Sequence, residues 1–163
     1  MSHLSKPQVF IIESLGLDEE KDLREGERIQ KMIGMSGKKC KYFYIRTKLE
    51  FRKILNEFQK SEHRYLHLSC HGGKQGEKRG LWTTFDHLDF DTLGRLLRPH
   101  INQRRVFVSA CGAASMSLAS SLMTNTKCHS VMRPYNNIGF SDAALFWATF
   151  YHLMFRENGP ICG

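Results

Sequence analysis

Tyr65-Leu66-His67-Leu68-Ser69-Cys70-His71-Gly72-Gly73 and Arg105-Val106-Phe107-Val108-Ser109-Ala110-Cys111-Gly112 are the two stretches that decide the reading of this chain. Each is a short, largely apolar run that ends in a reactive side chain followed at once by glycine. Runs of this length, stopped by glycine, read as buried strands that break into loops. A histidine and a cysteine at the carboxyl ends of two such strands point to one catalytic centre, a thiol nucleophile and its base. Neighbouring strands lie ~4.8 Å apart, so side chains from their ends can meet across a cleft.

The rest of the chain alternates strands and helices around this pair. Val9-Phe10-Ile11-Ile12 reads as a first strand and Tyr42-Phe43-Tyr44-Ile45 as a second. Between them, Asp18 to Lys31 runs from acid to base, the order a helix macrodipole favours, with Leu23, Ile29, Met32 and Ile33 for an inner face. Gly26 within that span marks either close packing or a break. Thr47-Lys48-Leu49-Glu50 fits a capping box, and Phe51, Ile54, Leu55 and Phe58 recur at helical spacing behind it. After the histidine strand, Gly72 to Gly80 (GGKQGEKRG) reads as a mobile, exposed loop, followed by an extended piece over Leu81 to Phe85.

Asp91 to Leu97 and Ala113 to Met123 are expected to be helical, and Cys128 to Met132 reads as a fifth strand. Ser141-Asp142 reads as the cap of a last helix, in which Leu145, Phe146, Phe150, Leu153 and Met154 leave little polar surface, so it is expected to be a core element. Strands alternating with helices predict one α/β domain with a parallel sheet covered on both faces. In such sheets function gathers at the carboxyl ends of the strands.

The chain has 163 residues, enough for one domain with a substantial core. Its 41% hydrophobic and 25% charged content is that of an ordinary globular protein. The formal net charge of +8 raises nucleic acid as a partner, because Lys and Arg supply most non-specific affinity for phosphate. The basic residues are spread along the chain, however, with no RNA-binding aromatic signature and no zinc-finger spacing. A solvated basic surface is the better reading, and nucleic acid is not expected as a partner. GGKQGEKRG also lacks the spacing of a phosphate loop.

The five cysteines, Cys40, Cys70, Cys111, Cys128 and Cys162, are irregularly spaced, which argues against a disulfide framework and for a reducing compartment. The amino terminus, Met1 to Pro7, carries no secretory apolar core, and no run approaches the ~20 apolar residues of a membrane span. A cytoplasmic location without membrane association is expected.

Free cysteine has a pKa of roughly 8.5, so a nucleophilic thiol needs an imidazole to lower that value or to take its proton. A tetrahedral oxyanion in turn needs preorganised N–H donors, and a residue without a Cβ lets substrate lie against the backbone. Gly72 follows His71, and Gly112 follows Cys111. Blander readings apply elsewhere. A lone cysteine is usually a small core residue, and Cys40, Cys128 and Cys162 are read that way. Cys70 should point to the opposite face from His71, which makes it core rather than a second nucleophile. A zinc site from His67, Cys70, His71 and Cys111 is set aside, because strand alternation splits the first three between two faces. No metal site is expected.

The motifs HLSCHGG, LWTTFDHLDFDTLGRLL, RRVFVSACGAAS and SDAALFWATFYHLMF, in that order, resemble a CHAT domain. CHAT domains are caspase-like cysteine peptidases, grouped with caspases, separases and gingipains, and the likeness covers about Tyr65 to Phe155. It implies a caspase-like three-layer α/β/α sandwich with a mainly parallel sheet, a single domain over residues 1–163. By the same resemblance His71 is the base, Cys111 the nucleophile, and the N–H groups of Gly72 and Cys111 the oxyanion hole. The family cuts protein substrates with no cofactor and no obligatory third carboxylate. Many members serve bacterial defence or cell death and are switched on by a partner or signalling ligand. The chain stops soon after the last helix, so specificity elements found downstream in caspases are expected to be missing.

Three residues come forward for substrate binding. Arg133 follows the fifth strand, where caspase relatives place substrate-binding groups, and would pair with an acidic P1 side chain. Asp142 would instead favour a basic P1, although its place before Ala143-Ala144 also suits a helix N-terminus. Glu13 ends the first strand and would line the same cleft. The alternative to a peptidase is a catalytically silent caspase-like module that binds a partner or small signalling ligand.

Overall fold

The structure is a computed structural model that describes residues 9–110, 116–124, 126–132 and 138–156. The chain opens with β1 (Val9–Ser14), α1 (Glu25–Met35), β2 (Cys40–Tyr44) and α2 (Lys48–Lys60). It continues through β3 (Tyr65–Gln75), β4 (Lys78–Trp82), β5 (His87–Asp89) and α3 (Phe90–Leu97). It closes with β6 (Arg105–Ser109), α4 (Met116–Met123), β7 (Ser130–Met132) and α5 (Phe140–Arg156). The parallel strands lie in the order β2-β1-β3-β6-β7. β4 and β5 extend the sheet as antiparallel neighbours of the far half of β3. The architecture is the expected α/β/α sandwich with a mostly parallel sheet. Among the described residues no helix is long and apolar enough to cross a membrane.

Strand alternation divides the core. Val9, Ile11 and Phe107 face α1 and α5, where they pack on Ile29, Ile33, Trp147, Tyr151 and Phe155. Phe10, Ile12, Leu66, Leu68, Val106 and Val108 face α2, α3 and α4, against Phe51, Leu55, Phe58, Leu93, Leu97, Leu118 and Leu122. Each fully buried side chain of this size contributes roughly 1.5–3 kcal/mol. The capping box read at Thr47 is present: its hydroxyl accepts from the Glu50 amide at 3.2 Å, and the Glu50 carboxylate accepts from the Thr47 amide at 3.0 Å.

Several local expectations are corrected. GGKQGEKRG is a hairpin rather than a loop: β3 runs on to Gln75, and Gly76 turns the chain at φ +61° into β4. A side chain would be strained at that φ, so glycine makes the reversal possible. The first helix begins at Glu25, not near Asp18. Residues 15–24 are instead wound into turns, with the Glu19 and Leu23 amides donating to Gly16 O and Glu19 O, both at 3.0 Å. The last strand is shorter than expected, Ser130–Met132.

The last helix is a core element on one face only. Leu145, Phe146 and Leu153 are 63%, 47% and 53% exposed, and the buried residues are Ala143, Ala144, Trp147, Ala148, Tyr151 and Phe155. Both faces of this helix are apolar, so composition could not tell which one packs. Ser141 and Asp142 lie inside its first turn rather than at its cap, since the Ala143 amide donates to Gly139 O at 2.8 Å.

Gly26 marks close packing. A Cβ there would stand 2.8 Å from Ile11 Cγ2 and 3.3 Å from the Glu13 carboxyl. Gly26→Ala gains about 1 kcal/mol of helix propensity but forces α1 away from β1, an overpacking cost of ~1–3 kcal/mol. A net loss of about 1 kcal/mol is expected from urea unfolding; a stabilised variant would show that α1 moves freely over the sheet.

His63 is 6% exposed and stands edge-on to Phe10 at 5.6 Å. Desolvation, aided by Lys41, Arg104 and Lys39, pushes its pKa from 6.5 down to about 4. The unfolded chain takes up this proton near pH 6.5 while the folded chain resists it to about pH 4, so stability falls as pH drops through that window. The full contribution is on the order of 3 kcal/mol. His63→Leu should flatten the decline in urea midpoint across this window, and an equal decline in both proteins would assign it to other groups.

Candidate active site

His71 sits where β3 leaves the parallel sheet. Up to that point β3 pairs with β1 through Ser14–Cys70 and with β6 through Ser69–Ser109. From His71 onward it pairs with β4, His71 opposite Trp82 and Gly72 opposite Leu81. His67, Ser69 and His71 therefore occupy alternate positions along β3, as Phe107 and Ser109 do along β6. Ser69 and Ser109, neighbours in register, lead to His71 on one strand and to Ala110 on the other.

The imidazole is held on two sides. Nε2 lies 2.5 Å from Glu19 Oε2, and the ring stands edge-on to Phe140 at 5.3 Å. A carboxylate only accepts, so Nε2 carries the proton in neutral imidazole and the Nδ1 lone pair is left for other work. His71 and Glu19 are 36% and 29% exposed, so solvent reaches the pair.

Glu19 is itself positioned. Its Oε2 accepts from the Gly16 amide at 3.1 Å. The adjacent Glu20 is pinned by a two-point contact to Arg46, at 2.7 and 2.8 Å, and by the Tyr44 hydroxyl at 2.8 Å. The Arg46 guanidinium holds the Glu20 carboxyl down at about 2.

Beside His71 opens a cleft of about 250 Å³, lined by Glu25, Cys70, Ser109, Ala110, Ile138, Gly139, Phe140 and Ala143 as well as His71. It lies where β3 passes from β6 to β4 and just beyond the carboxyl end of β6, beside the start of α5. Cys111 and Arg133 lie outside the described residues; Cys111 follows the cleft residue Ala110 by one peptide bond. Cys70 is half-buried against the edge of the core while also touching the cleft, and desolvation pushes its thiol up to about 12, which disfavours the thiolate. Burial likewise raises the Cys40 thiol to about 12 and the Cys128 thiol above its ordinary range.

Glu13 is corrected as a cleft residue. It is wholly buried, and its carboxyl accepts from the Gly26 amide at 2.6 Å, Tyr42 OH at 2.7 Å and Ser69 Oγ at 3.1 Å. Desolvation raises its pKa against the effect of those three donors, and the nearby Glu25 adds to the rise. Its role is to tie α1 to the sheet. Asp142 is exposed in the first turn of α5, where it suits the helix dipole, and is not among the residues lining the cleft.

Sequence reasoning missed Glu19 and Glu25. Both lie in the acidic segment after β1, which was assigned to a helix as a block. Only the contacts across the fold, 52 residues apart for Glu19 and His71, distinguish them from their acidic neighbours.

No protein-family model matches the chain, and no curated protein matches it in sequence. Among solved structures it is similar to the two-electron reduced flavodoxin of Megasphaera elsdenii, at TM-score 0.50 and 10% identity, over 86% of this chain and 98% of that one. It is also similar to a flavo di-iron protein of Thermotoga maritima, at TM-score 0.52 and 11% identity. That match covers 92% of this chain but only 36% of the other. A signal receiver domain from Vibrio parahaemolyticus aligns at TM-score 0.43 and 10% identity, over 94% of this chain and 98% of that one. At such identities the likeness shows the doubly wound fold alone.

Proposed function

We propose that this chain is a caspase-like cysteine peptidase of the cytoplasm, with His71 as base and Cys111 as nucleophile. The observation that carries the reading is the register of β3 and β6, which leads His71 and Ala110, the residue before Cys111, to one cleft. Three further features support it. Glu19 takes His71 Nε2, which leaves Nδ1 to act as the base; desolvation keeps the competing Cys70 thiol protonated; and the quoted motifs resemble a CHAT domain. That resemblance is also what suggests a protein substrate, a bacterial defence or cell-death role, and activation by a partner or signalling ligand.

In this mechanism His71 Nδ1 takes the proton of the Cys111 thiol, and the thiolate adds to the scissile carbonyl carbon. Amides of Gly72 and Cys111 stabilise the oxyanion. The imidazolium returns its proton to the amine as the C–N bond breaks, leaving a thioester. Water, deprotonated by the same imidazole, then releases the acid and restores the thiol. Glu19 stabilises the imidazolium in both steps.

A flavin, which the names of the flavodoxin and the flavo di-iron protein suggest, does not fit these side chains. The turn after β1 holds Asp18, Glu19, Glu20 and Asp22 against Lys21 and Arg24. At the amino end of α1, where a phosphate would sit in such a fold, the Gly26 amide already donates to Glu13. The anion site is filled from within.

An electrophilic peptide probe with mass-spectrometric readout tests the proposal. Label should concentrate on Cys111 and vanish in His71→Ala. Labelling spread evenly over the cysteines and indifferent to His71, even with cell extract added, would favour the silent binding module.

A further inference from the structure

The cleft holds a buried carboxyl group that the hydrolytic steps do not use. Glu25 is 4% exposed and lines the cleft with Ser109, Ile138, Phe140 and Ala143, and its Oε1 has no hydrogen-bond partner. The basic group facing it is His67 Nε2, 3.7 Å away, beyond hydrogen-bond reach and itself without a partner. His67 is held in that position. Its Nδ1 is 2.8 Å from the Tyr151 hydroxyl, and its ring stands edge-on to Trp147 at 4.9 Å. A buried carboxylate oxygen without a donor is costly, and a bound donor relieves that cost.

We propose that this cleft takes a cationic side chain, an arginine or lysine of the substrate, with Glu25 as its counter-ion. Placing that residue at P1 rests on the peptidase reading. Ile138, Phe140 and Ala143 give an apolar wall for the methylene stem, and Glu25 with the Ser109 hydroxyl gives acceptors for the head group. An apolar slot with a buried carboxylate is how trypsin-type pockets select basic residues. A volume of about 250 Å³ suits one side chain, below the ~300–1,000 Å³ of sites for drug-sized ligands. Glu13 is ruled out as a competing acceptor because its carboxyl already has three donors.

The experiment pairs a binding probe with a cleavage panel. Agmatine, a free guanidinium on a short alkyl stem, should raise the melting temperature of the parent and of Cys111→Ala alike, and of Glu25→Gln not at all. Fluorogenic peptides with Arg or Lys at P1 should be cleaved at least ~10-fold faster than those with Leu or Asp, a ratio that collapses in Glu25→Gln. Gly139→Leu is an independent variant, because among the described residues a Cβ at that exposed cleft position meets only Asp142 Oδ2, at 3.9 Å. It should fold normally and lose the agmatine shift by obstruction. Agmatine without effect on the parent, or with an effect that survives both variants, overturns the proposal. Agmatine binding through Glu25 with no peptide cleaved would keep the cation site and sink the peptidase; cleavage indifferent to P1 charge would do the reverse.

Discussion

Cys111→Ala should lower peptide cleavage by roughly a thousandfold or more, and His71→Ala by ~10²–10⁴-fold, the usual range for losing a general base. The two effects should not add. Without the thiol there is nothing for the imidazole to activate, so the double variant should be no slower than Cys111→Ala. Neither substitution should cost much stability. His71 is partly exposed and its Glu19 contact is a surface ion pair, worth about 0–1 kcal/mol. Cys70→Ala serves as the control, because its thiol is held in the unreactive state and its loss should leave cleavage within about twofold. The measurement is kcat/KM on one peptide for all four proteins. Cleavage by Cys111→Ala at the parental rate would remove the assignment, and loss in Cys70→Ala alone would move the nucleophile to β3.

How far the sequence carried depended on the range of the interactions involved. Period-two apolar runs and a capping box are local signals, and β1, β3, β6 and α2 followed from them. The parity of His67, Ser69 and His71 is local too, and it could be read without knowing which strands are neighbours. What failed was whatever depends on a partner far along the chain. GGKQGEKRG looks like a loop by composition, yet Gly80 packs its α-carbon against the Leu88–Asp89 backbone of β5, an approach only glycine allows. Both faces of α5 are apolar, and the choice between Trp147 and Phe146 as the buried ring is made by Phe107 and His67 on the sheet. The acidic segment failed for the same reason. Asp18, Glu19, Glu20, Asp22 and Glu25 look alike in sequence, but His71, Arg46 and the cleft floor give three of them separate roles.

Glu19→Gln decides whether the base works alone. The CHAT resemblance implies a dyad with no obligatory carboxylate, whereas here the Glu19 carboxylate lies 2.5 Å from His71 Nε2, and the proposed mechanism would use it as a third member. Glutamine keeps the size but removes the charge that stabilises the imidazolium, and its amide N–H can face Nε2 and select the wrong tautomer. A buried triad carboxylate of a serine protease is worth ~10⁴ in kcat when neutralised in this way. Here solvent reaches both partners, at 36% and 29% exposure, so the charge is screened. The expected loss is nearer ~10-fold in kcat, with KM unchanged because neither group is needed to hold the ground state. Arg46→Ala should act in the same direction and more weakly, since it frees Glu20 and loosens the turn that presents Glu19. A purely structural role would instead lower the melting temperature of both variants and leave the kcat of the folded fraction intact. Parental kcat in Glu19→Gln would mean that Glu19 only decorates the surface, and that Phe140 and the β3 backbone alone aim the imidazole.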